Sequence, residues 1–121
     1  GTLLAVASRV IVSGAHVVIS GPTVIGEQPR RMNKKDAQIV AYRAINRRVA
    51  SSLRIVYVDT RRAFLARRPA GAPPTEASGL LTEDGEHPNA LGASVLRTLF
   101  VRALDGWLRR TAPASPGAPM G

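Results

Sequence analysis

At 121 residues the chain makes at most one domain, and with 45% hydrophobic but only 4% aromatic residues its core must be built from Ala, Val, Leu and Ile. No cysteine is present, which excludes disulfides, Cys-ligated zinc and thiol chemistry while leaving the compartment open. The net charge of +9 admits a polyanionic partner, nucleic acid or an acidic membrane surface.

The chain opens on Gly1 and an apolar stretch that Arg9, Ser13, Gly14 and His16 interrupt too often for a membrane span or a signal peptide, so residue 1 reads as a cut end. Within it, Leu3, Leu4, Val6, Ala7, Val10 and Ile11 recur at helical spacing and predict a helix over Thr2 to Ser13, with Gly14 able to close it in the left-handed conformation. Ala15 to Ser20 is a short β-branched run of the kind buried on both faces in parallel sheets, and Gly21-Pro22 stops it. His16, at the entry to this strand, reads as a packing or surface residue rather than a ligand.

Thr23 to Met32 shows no periodicity. Asn33 reads as the N-cap of a second helix with Asp36 as its capping-box acid. Ala37, Val40, Ala41, Ala44, Ile45 and Val49 form the expected buried stripe, leaving Arg43, Arg47 and Arg48 on a solvated face. A second strand over Ile55 to Val58 ends at Asp59, which reads as the cap of a short helix over Thr60 to Arg67. Pro69 to Gly79 is a connector. Asn89 caps a last helix whose stripe is Val95, Leu96, Leu99, Phe100, Ala103, Leu104 and Trp107, and residues 111–121 form a low-complexity tail expected to be disordered. Helices alternating with apolar strands predict parallel strands joined by helical crossovers.

Functional groups of open α/β sheets collect in loops beyond the carboxyl ends of the strands. Gly21 to Glu27, Asp59 to Arg62 and the segment around Asp84 and His87 meet that condition. No Walker loop, G-x-G-x-x-G, G-x-S-x-G or H-E-x-x-H occurs, and the two distant histidines do not suggest a metal site. Asp84 and His87 stand three apart across a turn, with Asp84-Gly85 supplying the bend and Pro88-Asn89 the start of the helix. A carboxylate so placed can hold the Nδ1 proton of the imidazole and leave Nε2 open to take a proton from a nucleophile. A solvated turn closed by a helix cap would look the same in sequence.

The run Leu81-Thr82-Glu83-Asp84-Gly85-Glu86-His87-Pro88-Asn89-Ala90-Leu91-Gly92 resembles the last block of the SGNH (GDSL-type) hydrolases, where D-x-x-H completes a Ser-His-Asp triad before the final helix. The element order also resembles the second half of that family's flavodoxin-like fold. The resemblance covers residues 1–110. It implies a partial three-layer α/β fold with a parallel sheet whose N-terminal half is absent. It also implies an ester hydrolase acting on a small-molecule ester, with Asp84 orienting His87 and His87 as general base, and no metal or organic cofactor. The family's G-D-S nucleophile block and its oxyanion-hole blocks have no counterpart here, so both would lie upstream, in the missing N-terminal half of the same domain. This chain alone is then expected to be inactive. A non-catalytic basic α/β module and a degenerate hydrolase relative are the rival readings. The arginines fall in scattered pairs such as Arg47-Arg48 and Arg109-Arg110 without aromatic interleaving, so no specific nucleic acid is expected.

Overall fold

The structure, a computed structural model, describes residues 2–23, 35–67, 70 and 79–111. Six elements follow one another: α1 (Thr2–Val12), β1 (Val18–Ser20), α2 (Asp36–Leu53), β2 (Val56–Val58), α3 (Thr60–Leu65) and α4 (Ala90–Thr111). The order matches the expected one. Asn33, the loop from residue 24 to Met32, nearly all of the connector before Gly79 and the tail after Thr111 lie outside the described residues. Thr111 itself closes α4, one residue into the stretch expected to be disordered.

Gly14 ends α1 as its chemistry demands. At φ 85° it turns the chain so that its N–H reaches Ile11 O (2.9 Å) and that of Ala15 reaches Val10 O (3.3 Å). The strand that follows is shorter than its apolar run, beginning at Val18 rather than Ala15. The cause lies in its partner. β1 and β2 pair in parallel in the register Val18↔Val56, Ile19↔Tyr57 and Ser20↔Val58. The residues before Val56 cannot extend this ladder, because the chain there is closing α2, with Arg54 at φ 53° and the Ile55 N–H on Ala50 O (3.0 Å). With nothing opposite, Ala15 to Val17 remain outside the sheet.

Side-chain alternation along the strands separates two layers of packing. Ile19 and Tyr57 face α1 and α2, where Ala7, Ile19 and Ala50 are buried together with Leu53 and Ile55 around them. Beyond β2 lies α4, and there Phe64, Leu81 and Val95 form a second buried cluster supported by Leu96 and Leu99. Helices therefore cover a parallel sheet in three layers, a partial α/β fold.

The face that α2 turns to the sheet is not the one its apolar stripe predicts. Val40, Ala41, Ala44 and Ile45 are exposed, whereas Ile39, Arg43, Asn46, Ala50 and Leu53 point inward at a regular helical spacing. The reason is polar. The carboxyl ends of the strands present the Ser20 carbonyl, which accepts from Asn46 Nδ2 (3.1 Å), and the Asp59 carboxylate, which pairs with Arg43. Asp36 likewise does not sit where the expected capping box requires. It is the first helical residue and forms an ion pair with the buried Arg61 of α3 (2.9 Å). In α1 only Ala7 of the predicted stripe is buried. In α4 the predicted stripe faces inward except Leu104, which is 44% exposed.

Gly92, in the first turn of α4, is buried against the segment that precedes the helix. A Cβ there would overlap the Leu81 carbonyl oxygen and come within 3.1 Å of Pro88 Cβ. At Gly106 of the same helix the nearest atom to an added Cβ is Arg110 Nη1 at 3.5 Å, an ordinary contact. Gly92→Ala should therefore cost about 1–3 kcal/mol by overpacking. Gly106→Ala should gain up to about 1 kcal/mol from helix propensity alone. Urea unfolding of the two variants measures both, and opposite signs are the expected result.

Candidate functional site

The Asp84–His87 segment is built outward from a buried anchor. Leu81 and Thr82 are each 2% exposed, and Thr82 Oγ1 accepts the N–H of the buried Gly85 (3.1 Å). Gly85 has φ 93°, which turns the chain tightly enough for Glu83 N–H to reach His87 O (2.9 Å) and for Thr82 and Pro88 to form an antiparallel bridge. Asn89 then closes the segment from both sides. Its side-chain oxygen accepts from Gly92 N–H (2.9 Å) as the expected N-cap, and its Nδ2 donates back to Leu80 O (3.1 Å).

On this frame the acid and the imidazole come together. Asp84 Oδ1 accepts the N–H groups of Glu86 (3.0 Å) and His87 (2.8 Å), and Oδ2 meets His87 Nδ1 at 2.5 Å. The His87 N–H first, the imidazole second and the Glu86 N–H third hold the Asp84 carboxyl well below the usual carboxylate range. An ionised carboxylate can only accept, so in the neutral ring Nδ1 carries the hydrogen and Nε2 is a free lone pair. The hydrogen bond to Asp84, then its charge, raises the affinity of His87 for a proton. The two side chains are 54% and 76% exposed, and no described hydroxyl is hydrogen-bonded to Nε2. The pair can orient an imidazole and accept a proton, but the described residues place no nucleophile and no oxyanion donor beside it.

Asp59, the other acid at a strand end, is occupied. It caps α3 by accepting Arg62 N–H (3.1 Å) and takes a two-pronged contact from Arg43, Nε to Oδ1 at 2.9 Å and Nη2 to Oδ2 at 2.5 Å. Burial disfavours its charge, but the Arg43 hydrogen bonds and the Arg62 N–H outweigh that and keep its carboxyl below the ordinary range. Its reading as a cap is correct. Arg43 was missed, since arginine among other arginines on a helix looks like a solvated face. The signal available was its position on the same helix face as Ile39, Ala50 and Leu53. Thr60 Oγ1 donates to Gly21 O (2.6 Å), so this cluster also holds the chain as it leaves β1, where description stops at Thr23. Among the described residues no three His, Asp or Glu side chains stand close enough to share a metal ion. No described helix is long and apolar enough to cross a membrane.

No protein-family model and no curated protein matches the sequence. Solved structures do resemble it. An acetyl xylan esterase, AlAXEase, is 28% identical with a TM-score of 0.63, over 88% of this chain and 51% of its own. LAE5, an α/β hydrolase enzyme from the metagenome of Lake Arreo in Spain, is 25% identical with a TM-score of 0.66, over 86% of this chain and 44% of its own. A GDSL-like lipase from Bacteroides thetaiotaomicron VPI-5482, at 17% identity, shares the fold with a TM-score of 0.68, over 88% of this chain and 50% of its own. These neighbours bear out the resemblance drawn from residues 81–92 and the partial α/β fold that it implies. The chain spans about half the length of the hydrolases it is similar to.

The Asp84–His87 contact has a direct test in the titration of the His87 ring by NMR. His87 should keep its proton above the ordinary imidazole value of 6.5 and become a base only beyond it. Asp84→Asn removes the carboxylate and should bring the midpoint back down. A midpoint unchanged by that substitution would show that the two side chains do not meet in solution.

Proposed function

We propose that the chain carries the acid and the base of a serine esterase, with the nucleophile supplied from outside these 121 residues. The observation that supports this is the Asp84 Oδ2–His87 Nδ1 contact at 2.5 Å on a loop locked to a helix start, with Nε2 open. In the complete site a serine hydroxyl attacks the carbonyl carbon of an ester and its proton passes to His87 Nε2. Asp84 holds the ring in the productive tautomer and stabilises the imidazolium. His87 returns the proton to the departing alkoxide, and water then hydrolyses the acyl-enzyme with His87 again as base. The hydrolase neighbours, esterases and a GDSL-like lipase, support carboxylic esters as the substrate class.

Without nucleophile or oxyanion donors the largest catalytic terms are missing. The 121-residue chain should therefore hydrolyse p-nitrophenyl acetate no faster than its His87→Ala variant. Joined to the coding sequence that precedes it, the protein should turn over the ester, and His87→Ala should lower the rate by about 10³-fold or more. His87-dependent hydrolysis by the short chain would overturn the separation of base and nucleophile. Activity of the longer protein that survives His87→Ala would overturn the role of His87.

The rival basic-module reading draws support from one observation. Among the described arginines only Arg43 and Arg61 form ion pairs with described acids, leaving the side chains of others, including Arg62 and Arg102, exposed to solvent. Such a surface should bind nucleic acid weakly and without sequence preference, with affinity falling steeply as salt rises. Fluorescence anisotropy with labelled oligonucleotides between 50 and 200 mM salt, a range of roughly physiological span, measures this. Tight, sequence-selective binding at the upper end would favour the binding module over the esterase.

A further inference from the structure

The parallel sheet has a second functional-looking end. A cavity of about 400 Å³ opens where the chain enters both strands, between the last turn of α4 and the segments before β1 and β2. That volume falls within the roughly 300–1,000 Å³ of small-molecule sites. Ala90 and Trp107 stand at opposite ends of α4, about 25 Å apart along its axis at 1.5 Å per residue, so the cavity is remote from Asp84 and His87.

Its lining is divided in character. Leu53 and Ile55 provide an apolar floor, and His16 and Trp107 a wall, their ring centroids 4.4 Å apart at an interplanar angle of 56°. Arg54 and Arg110 are the arginines in its lining, and none of the described lining residues is acidic. Neither arginine forms an ion pair with a described residue. Arg110 alone has a plain explanation, since a cation in the last turn offsets the negative end of the α4 dipole. Arg54 has none. It is the single described non-glycine residue at positive φ, 53°, in the turn that closes α2, a position glycine fills without strain. The Ala50 and Ser51 carbonyls that close the turn bond to its backbone N–H, not to its side chain, so the closure does not require arginine.

We infer that this cavity binds a small carboxylate with an apolar body, of the size of an arylalkanoate, its headgroup held by Arg54 and Arg110 and its body against Leu53, Ile55 and the His16–Trp107 pair. Guanidinium is the side chain best matched to a planar carboxylate, which can accept two N–H groups at once. The apolar floor disfavours a purely polar anion, and the absence of an acid among the described lining residues disfavours a cation. This inference stands apart from the proposed esterase chemistry.

Trp107 is the only tryptophan, so its emission reports on this cavity and nothing else. Titration of the full chain with 4-phenylbutyrate should give a saturable change in emission. The response to 4-phenylbutanol should be at least about tenfold weaker, and 4-phenylbutylamine should give none, a charge preference expected from paired guanidinium contacts. Arg54→Gly combined with Arg110→Gln should weaken phenylbutyrate binding by a similar factor while leaving the melting temperature unchanged or higher, because glycine relieves the strained turn. Arg54→Lys, which keeps the charge but not the planar fork, should bind phenylbutyrate more weakly than the unaltered chain and more tightly than the double variant. No saturable response, equal binding of the alcohol or amine, or undiminished binding by the double variant would each overturn the inference.

Discussion

The Leu81 carbonyl is the point on which the candidate site rests. It accepts the Asn89 N–H at 3.0 Å and lies directly over Gly92, while the Leu81 side chain is sealed between Phe64 and Val95. One residue thus ties the strand-like entry of the Asp84–His87 loop to the first turn of α4 and to the buried cluster beneath. Outward of it Thr82 and Gly85 remain buried, while both side chains of the acid–base pair are exposed. The precision of the pair comes from short-range backbone donors, Glu86 and His87 N–H onto Asp84, and from a buried turn at Gly85. Preorganisation of this kind does not require burial of the reacting groups themselves; it requires that the backbone carrying them have nowhere else to go.

The same logic governs the carboxyl end of β2. Asp59 has both carboxylate oxygens committed, to Arg43 and to the start of α3, and Asn46 and Thr60 satisfy the carbonyls of Ser20 and Gly21. Strand ends are where a parallel sheet runs out of partners for its own backbone. In this protein α2 and α3 supply them, and the orientation of α2 follows from that duty rather than from hydrophobicity.

That distinction separates what was legible in the sequence from what was not. Local signals succeeded. Gly14 at positive φ, Asn89 as cap, Asp59 as cap and the inward face of α4 each depend on a few neighbouring residues whose chemistry is decisive wherever they fold. The parallel pairing also followed, because two β-branched runs flanking a helix have few other solutions. The face of α2 failed because Val40, Ala41, Ala44 and Ile45 form an apolar stripe as regular as a buried one, and periodicity counts apolar side chains without knowing that the strand ends are polar. The strand lengths failed for a related reason: a ladder needs an opposite strand, and the left-handed turn at Arg54 that closes α2 ends immediately before it. Asp84 and His87 were visible as a pair, but the carbonyl of Leu81 over Gly92 was not, since backbone approach leaves only a glycine as its trace.

The three-residue ladder between β1 and β2 carries a kinetic consequence. Val18 and Val56 lie on either side of the whole of α2, as do the other two pairs, so the ladder is non-local throughout. Closing so long a loop costs entropy before any hydrogen bond rewards it. Three rungs are too few to offset that cost alone. A formed α2 shortens the effective span and delivers Ala50 and Leu53 onto Ile19 as the strands meet. Register is thereby decided in the collapse of a helix onto a single strand, and a chain whose α2 frays at Asp36 would search for its sheet far more slowly than one whose strands are weakened.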